Sequence, residues 1–345
     1  MNRNRLLLAA ALLLAAPSAL LAADAAAKKP NFKVYTDPSQ ADADFAFQGE
    51  YAGTVAAGNG AAKLGAQVRA LGNGLFRTMF YAGGLPGDGW DGQTIIQKEP
   101  TTDKTTPADA KLDGGKVVID HVYKATCDGQ TLSGKTDAGA AFELKRVNRK
   151  SPTLGAPAPA GAVVLFDGSN LDEWQKGARM TPQKWITSAS GATTVRKFQD
   201  FTLHLEFMIS YMPETQTIYQ RPNSGVYLQQ RYEIQILDSF GIVLRTHDCG
   251  VLYAQVSPSV NMCYPPLTWQ TYDIDFTAAR FDAEGKKSKP ARCTVRLNGV
   301  TTIDTVEIKG PTPGGSPETP APGSLYLQAH GQPSFYRNVW VVEKK

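Results

Sequence analysis

The fold is decided by two stretches, Phe201-Thr-Leu-His-Leu-Glu-Phe-Met-Ile209 and Tyr232-Glu-Ile-Gln-Ile-Leu-Asp238. Apolar and polar side chains alternate in both, which is typical of a β-strand that buries only one of its faces. In the first stretch Glu206 lies opposite the apolar side chains. In the second, Glu233 and Gln235 lie opposite two isoleucines. Both stretches therefore predict strands of an antiparallel sheet with one face against a core.

Five further stretches between residues 162 and 345 alternate in the same way. They are Gly225–Gln229, Thr271–Phe276, Cys293–Leu297, Ser324–His330 and Phe335–Val342. Seven strands with one apolar face each cannot bury those faces in a single sheet. We therefore expect a C-terminal domain over residues 162–345 built from two stacked antiparallel sheets, as in a sandwich or a jelly roll.

The preceding region, residues 31–150, predicts a separate small β-rich domain. Its apolar runs are short, and turn signals such as Gly72-Asn-Gly74 and Asp128-Gly129 separate them. That punctuation is typical of short antiparallel strands. Residues 151–161 are rich in proline and alanine and almost uncharged, which predicts an extended linker between the two domains. The whole chain is thus expected to be mostly β.

The N-terminus predicts export. Arg3 and Arg5 precede an apolar run of leucine and alanine that Pro17 interrupts, and small residues follow. This pattern is typical of a secretory signal peptide over residues 1–25, with cleavage between Ala22 and Ala27. The run is too short for a spanning helix, which needs ~20 apolar residues. We expect a periplasmic or secreted protein without stable membrane insertion after cleavage.

The charge and the cysteines exclude several classes of protein. The net charge is +4, and a cut before Asp24 removes two arginines and lowers it to +2. No basic stripe is present, so nucleic-acid binding is not expected. The four cysteines form no CxxC pattern, which argues against a structural zinc site or an attached haem. Cys249 and Cys263 bracket one short segment and are the best candidates for a disulfide.

The polar faces of the predicted strands indicate a carbohydrate site. Carboxylates, amides and a histidine lie where surface strands usually carry lysine, serine or threonine. If the sheet curls, these side chains converge, and aromatic rings such as Tyr253 supply platforms for the C–H faces of sugars. The candidates are Glu206, Glu233, Gln235, Gln328 and His330. Their spacing does not distinguish a binding groove from a catalytic one.

Several motifs of the C-terminal region resemble one bacterial family. They are the opening Val164–Trp174, the core Asn223–Asp238, and the closing pair of His330-Gly331 and Phe335–Trp340, with further short blocks in order between them. Residues 162–342 are similar in this way to the 3-keto-disaccharide hydrolase family. The resemblance implies a concanavalin-A-like jelly roll and a carbohydrate partner, either a 3-keto-glycoside or a 3-keto-disaccharide.

The implied activity is cleavage of glycosides that are already oxidised at C3. The ketone acidifies the C2 proton, so a base and an acid can drive elimination of the C1 oxygen, and water addition completes a net hydrolysis. Glu233 and His330 are the candidate base and acid, in either order, and Glu206 is the third candidate catalytic residue. The candidate sugar contacts are Gln235, Asp238, Arg337, Gln328, Tyr253 and Asn223, with Arg337 also placed to stabilise negative charge.

Other interpretations remain open at this point. Two carboxylates can hydrolyse a glycoside directly, at separations of ~5–5.5 Å in retaining or ~6.5–9.5 Å in inverting enzymes. A divalent metal held by His330 and carboxylates also fits, although no close His/Asp spacing requires one. The same fold hosts lectins, so a non-catalytic carbohydrate-binding module is the rival class. A cell-envelope interaction protein is a third reading.

Overall fold

The computed structural model describes residues 32–58, 60–98, 107–215, 217 and 220–344. Helices make up 3% and strands 46% of the chain, and the strand pairings are antiparallel, so the mostly β fold class is confirmed. The predicted signal peptide lies in residues 1–31, outside the described residues. Within the described ranges no helix is long and apolar enough to cross a membrane.

Within the described ranges, nine strands form the first sheet and thirteen follow it. The first nine are β1 (Gly49–Ala57), β2 (Gly60–Gly72), β3 (Leu75–Ala82), β4 (Ile95–Ile96), β5 (Ala110–Asp113), β6 (Lys116–Asp120), β7 (Lys124–Cys127), β8 (Thr131–Lys135) and β9 (Ala141–Val147). The others are β10 (Val163–Phe166), β11 (Ile186–Thr187), β12 (Ala192–Thr193), β13 (Phe201–Ile209), β14 (Asn223–Leu228), β15 (Tyr232–Leu237), β16 (Gln270–Thr277), β17 (Arg280–Phe281), β18 (Lys287–Lys289), β19 (Ala291–Leu297), β20 (Val300–Ile308), β21 (Tyr326–Leu327) and β22 (Ser334–Glu343). Short 3-10 helices span Pro38–Gln40, Ala43–Ala46 and Ser188–Ser190.

The first sheet closes on itself. Its order is β2-β1-β9-β8-β7-β6-β5-β3-β4, and β2 also pairs with β3, so eight strands form a ring with β4 outside it. The core of this barrel includes Tyr51, Val68, Phe76 and Leu144. Tyr211, from the C-terminal half of the chain, packs into the same cluster. The predicted boundary at residues 151–161 stays a prediction.

The second half is a sandwich of two antiparallel sheets. One has the order β10-β22-β13-β16-β19-β20, with β11 paired to β22, and the other has the order β12-β21-β14-β15. Leu203 and Leu205 of β13 share one core with Ile234 and Ile236 of β15. The alternation that predicted two stacked sheets is thereby confirmed, and the architecture is of the jelly-roll type.

The cysteines are buried throughout. All four lie in the described ranges as free thiols, so the expected disulfide between Cys249 and Cys263 is not formed. The two thiols nevertheless lie in the same core cluster of the sandwich and interact with each other there. The sequence therefore identified the right neighbours and the wrong bond.

The segment 151–156 differs from the expected extended linker because the outer face of the seven-stranded sheet holds it. The Gly155 N–H donates to Glu206 Oε1 over 2.6 Å, and the Asn338 side-chain amide donates to the Ala156 carbonyl over 2.9 Å. Two turns within the segment add backbone hydrogen bonds. Backbone polar groups in this segment find partners on the sheet, and the segment is therefore a strap rather than a free spacer.

One buried ion pair joins the barrel to the sandwich. Arg69 of β2 donates to Asp238 Oδ2 over 2.8 Å and to the Phe240 carbonyl over 3.0 Å. The two charged side chains are 3% and 5% exposed, so water screens them little. Asp238 directly follows β15, and the pair therefore fixes the end of that strand against the barrel.

Removing Arg69 should destabilise the protein far more than removing a surface arginine. Arg69→Met removes the cation bonded to the buried Asp238 carboxylate and leaves the buried Arg221 as the other positive charge beside it, which costs about 3 kcal/mol. Arg296→Met is the matched control, since its pair with Asp275 is about two-fifths exposed and is expected to contribute about 1 kcal/mol or less. Urea unfolding measures both. A loss at Arg69 no larger than at Arg296 would contradict the role given to the buried pair.

Candidate active site

The four-stranded sheet presents a polar face on the side away from the core. Val226 and Leu228 of β14 and Ile234 and Ile236 of β15 point into the core and are completely buried. Because side chains alternate across a strand, their neighbours point the other way. The residues of this outer face are Asn223, Gly225, Tyr227, Glu233, Gln235, Tyr326 and Gln328.

The strand register sets these residues in rows. Tyr227 lies directly opposite Glu233, and Gly225 lies opposite Gln235. On the other side of β14, the Gln328 N–H donates to the Gly225 carbonyl over 2.9 Å. Gly225 is therefore flanked by two glutamines and adjoins the Tyr227–Glu233 pair along the strands. We call this set the Gly225 hollow.

The Glu233 side chain lies directly against Gly225. A Cβ atom at this position would lie 2.1 Å from Glu233 Oε1 and 2.8 Å from its Cγ. The Glu233 carboxyl group therefore occupies the space that a side chain at 225 would fill. Glycine weakens the interior of a strand, so its presence here marks a close approach by another group.

Burial changes the proton affinity of Glu233. Glu233 is only 2% exposed, and desolvation raises the pKa of its carboxyl group to about 7. The hydrogen bond from Tyr227 lowers the pKa, but by less than desolvation raises it. Desolvation acts in this direction because it disfavours the charged form. A carboxyl group with this pKa exchanges protons readily near neutral pH, as a general base or acid must.

Tyr227 is the partner of that carboxyl group. Its hydroxyl donates to Glu233 Oε2 over 2.8 Å and lies 3.1 Å from the Pro313 carbonyl. The Gln328 side-chain amide donates to the same hydroxyl oxygen over 3.3 Å. Burial and the Glu233 charge raise the pKa of Tyr227, so the phenol keeps its proton.

Two amide oxygens at the hollow have no donor from the protein. Asn223 Oδ1 and Gln328 Oε1 are buried and accept no hydrogen bond from the part of the chain that the structure describes. Buried acceptors are usually satisfied. Sugar hydroxyls are suitable donors, so these two side chains fit the sugar-contact role predicted for them.

Gln235 and Tyr253 border the same surface. The Gln235 side-chain amide donates to the His247 carbonyl over 3.3 Å, and the Tyr253 N–H donates to the Glu233 carbonyl over 3.0 Å. The Tyr253 ring meets the His247 ring edge-on at 5.2 Å and is half-buried. Tyr253 is therefore an aromatic side chain next to the strand that carries Glu233.

His330 lies in the exposed segment between β21 and β22, two residues after Gln328. It forms no hydrogen bond with any residue in the described ranges. Its predicted role as acid or base therefore stays a prediction, without support from a fixed contact to Glu233.

Asp238 is already bonded on both carboxylate oxygens. Oδ2 accepts from Arg69, and Oδ1 accepts from the Phe240 N–H over 3.3 Å. The residue is 4% exposed. Its predicted contact with sugar is untested, but in the structure its carboxylate supports the turn after β15.

Glu206 and Arg337 are not brought to the Gly225 hollow. They lie on the outer face of the other sheet, where Arg337 Nε donates to Glu206 Oε2 over 2.6 Å. The Arg337 guanidinium also stacks over the Trp269 ring, 4.0 Å from its centroid. The expectation that Glu206 and Glu233 share one concave face does not hold, because β13 belongs to the seven-stranded sheet and β15 to the four-stranded one.

A metal site finds no support in the side chains described. Among residues 32–58, 60–98, 107–215, 217 and 220–344, no three or more His, Cys, Asp or Glu side chains lie close enough together to hold an ion.

A comparison with family models identifies the C-terminal half. The model of the 3-keto-alpha-glucoside-1,2-lyase-like domain matches residues 161–342, just over half of the chain. The chain belongs to this family. The resemblance read from Asn223–Asp238 and the other motifs is confirmed, and membership supports a carbohydrate-active function.

Solved structures give looser likenesses to the family domain. Three crystal structures from Parabacteroides distasonis ATCC 8503 are each named as a candidate glycosyl hydrolase. They are 28%, 15% and 20% identical, with TM-scores of 0.48, 0.40 and 0.37. The matched regions span 55%, 54% and 53% of this chain, and 86%, 95% and 99% of the three solved chains, in the same order. Among curated proteins, no sequence matches the chain.

Two residues at or behind the site of this family member, Gly225 and Arg69, were missed as functional residues in the sequence, and the hydrogen bond between Tyr227 and Glu233 was missed as well. Gly225 interrupts an apolar strand, a signal that indicates close approach by another group. Tyr227 has the same parity as Gly225, which places it on the polar face. Arg69 lies 169 residues before Asp238 and has no local signal at all.

The pKa of Glu233 predicts a pH-dependent stability difference. As pH rises from about 4.5 to about 7, unfolded chains lose this proton before folded ones, so the wild type loses stability on the order of 3 kcal/mol over that window. Glu233→Gln has no proton to lose, and its stability relative to wild type should rise over the same window. Urea unfolding at pH 4 and pH 8 measures this, with the exposed Glu143→Gln as the charge control. A pH-independent difference would argue against the raised pKa.

Proposed function

We propose that this family member cleaves 3-keto-glycosides or 3-keto-disaccharides, with Glu233 as the base that removes the C2 proton. The observation that carries the proposal is the buried Glu233 carboxyl over Gly225, whose pKa lies near 7. Family membership supports the substrate class, since the family description names a 3-keto-alpha-glucoside and a 1,2-lyase.

The chemistry needs a base of this kind. A ketone at C3 makes the neighbouring C2 proton acidic, and loss of that proton places charge on the C3 oxygen. Expulsion of the C1 oxygen then forms a C1=C2 double bond, and addition of water would complete a net hydrolysis. A general base is most effective when its pKa lies near the working pH, as that of Glu233 does.

Direct hydrolysis by two carboxylates has less support. Such a site needs a second carboxyl group at a fixed distance across the sugar. Glu233 is the one acidic residue in β12, β14, β15 and β21, the four strands of this sheet. Glu206 lies on the other sheet, and Asp238 is held by Arg69. Elimination by a single carboxylate therefore fits the geometry better.

The amides around the hollow suit the recognition of sugar hydroxyls. Asn223 Oδ1 and Gln328 Oε1 are buried acceptors without a protein donor in the described ranges. Gln235 lies opposite Gly225, and Tyr253 adjoins the backbone of Glu233. Together these side chains supply acceptors and an aromatic edge around the base.

One observation favours non-catalytic carbohydrate binding as the second candidate function. Trp185 and Trp269 are half-buried, meet edge-on at 5.1 Å, and carry the Arg337 guanidinium stacked on Trp269. Partly exposed tryptophans beside a fixed hydrogen-bond donor are a usual means of holding a sugar ring. This surface needs no acid or base, so a protein that used it alone would bind sugars without cleaving them.

The deciding experiment follows sugar release from 3-keto-trehalose and from a 3-keto-glucoside. We expect release from both and none from trehalose, whose C2 proton no ketone acidifies. Glu233→Gln should lower kcat by about 100-fold or more, and wild-type kcat/KM should rise with pH through about 7 as the base ionises.

Glu318→Gln is the matched control for that experiment. Glu318, like Glu233, accepts a hydrogen bond from a tyrosine hydroxyl, in this case from Tyr232 over 2.7 Å, and Tyr232 lies on the core side of the sheet. Its rate should stay close to that of the wild type. Measurable sugar binding without any release, with divalent metals supplied, would favour the binding module. A normal rate for Glu233→Gln would remove Glu233 from the mechanism.

We also propose export to the periplasm or secretion, on the basis of the basic head and apolar run at the N-terminus. The mature chain is expected to begin between Ala23 and Ala27. Intact-mass measurement of the protein recovered from the periplasm or medium of a bacterial host tests this. A full-length mass, with Met1 present, would contradict it.

A further inference from the structure

The Tyr227 hydroxyl lies among groups that can move a proton. It donates to Glu233 Oε2 over 2.8 Å and accepts from the Gln328 amide over 3.3 Å. Tyr232, which precedes Glu233 in β15, points to the core side of the sheet, and its hydroxyl donates to Glu318. Of these two tyrosines, Tyr227 is the one that lies on the outer face with Glu233.

The two oxygens of the Glu233 carboxyl group have different surroundings. Oε2 accepts the Tyr227 hydroxyl, whereas Oε1 lies over Gly225 and accepts no hydrogen bond from the residues that the structure describes. One oxygen is thus available to take a proton from a molecule in the hollow. The other is coupled to a phenol that holds a second proton.

We propose that Tyr227 is the catalytic acid of the elimination and donates its phenolic proton to the departing C1 oxygen. This inference rests on the proposed function and assigns the one role that Glu233 does not fill. Tyr227 and Glu233 are a cross-strand pair on β14 and β15. Base and acid therefore meet the substrate from the same side of the sheet.

The proton movements balance without a co-reactant. The C2–H bond breaks as its proton passes to Glu233 Oε1, and its electron pair forms the C2=C3 bond of an enolate with the charge on the C3 oxygen. The ketone then re-forms, that electron pair moves to form the C1=C2 double bond, and the C1–O bond breaks. The departing oxygen takes the Tyr227 proton. The tyrosinate, which the Gln328 amide N–H stabilises, then takes back a proton from the neutral Glu233 carboxyl group. Both side chains end as they began.

The environment of Tyr227 suits this role better than that of His330. Burial and the neighbouring carboxylate raise the pKa of the phenol, so it carries its proton when the reaction begins. Tyr227 is 3% exposed and held by three hydrogen-bond partners. His330 is exposed and has no such contact among the described residues.

The test compares leaving groups in Tyr227→Phe. An alkoxide must be protonated as it departs, whereas 4-nitrophenolate leaves without help. We expect kcat to fall by about 100-fold or more on 3-keto-trehalose but by less than about 5-fold on 4-nitrophenyl 3-keto-glucoside. In deuterium oxide, Tyr227→Phe should still exchange the C2 proton of 3-keto-trehalose for deuterium, because Glu233 is still present to remove that proton.

Tyr232→Phe and His330→Ala are the comparison variants. Tyr232→Phe removes a hydroxyl from a buried tyrosine–glutamate pair outside the site, and it should affect both substrates equally and little. Equal losses on the two leaving groups in Tyr227→Phe, or a leaving-group dependence found in His330→Ala instead, would overturn the assignment of Tyr227. Wild-type protein that cleaves neither substrate would instead overturn the proposed function, so the two failures are distinguishable.

Discussion

The two-residue alternation of β15 is the constraint on which the site depends. Ile234 and Ile236 are completely buried in the core of the sandwich, and each fixes the orientation of its neighbours. With both isoleucines inside, Glu233 and Gln235 must face outward beside β14. A shift of one residue in the pairing would bury the carboxylate in the apolar core, so the same contacts that stabilise the sandwich also hold the register of the site.

The alternation predicted from the sequence shows how far such reading extends. It identified the faces of β13 and β15 correctly, with Glu206 and Glu233 opposite the core. It did not identify the sheet to which each strand belongs, because both sheets bury one face against the same core and look alike locally. Glu206 was therefore grouped with Glu233, although the structure places it beneath the strap at Gly155.

Local sequence patterns could not predict contacts between distant parts of the chain. The Arg69–Asp238 pair spans 169 residues, and nothing in the sequence around Arg69 distinguishes it from a surface arginine. Asp238 was identified as functional because it lies in the dense polar stretch after Ile236. The structure gives another reason for Asp238. A carboxylate this deeply buried needs a positive charge beside it, and Arg69 of the barrel supplies that charge. The sequence of the first domain indicates no function, but through Arg69 this domain supports the strand that carries Glu233.

The closure of the first sheet has a consequence for the behaviour of the protein at high concentration. Since β2 pairs with β3, the eight strands of the ring leave no long row of unpaired backbone amides and carbonyls. Only the two-residue β4 borders the ring from outside within the described residues. A neighbouring molecule therefore finds no extended strand on the barrel to which it can add its own, and edge-to-edge aggregation through this half of the chain is disfavoured.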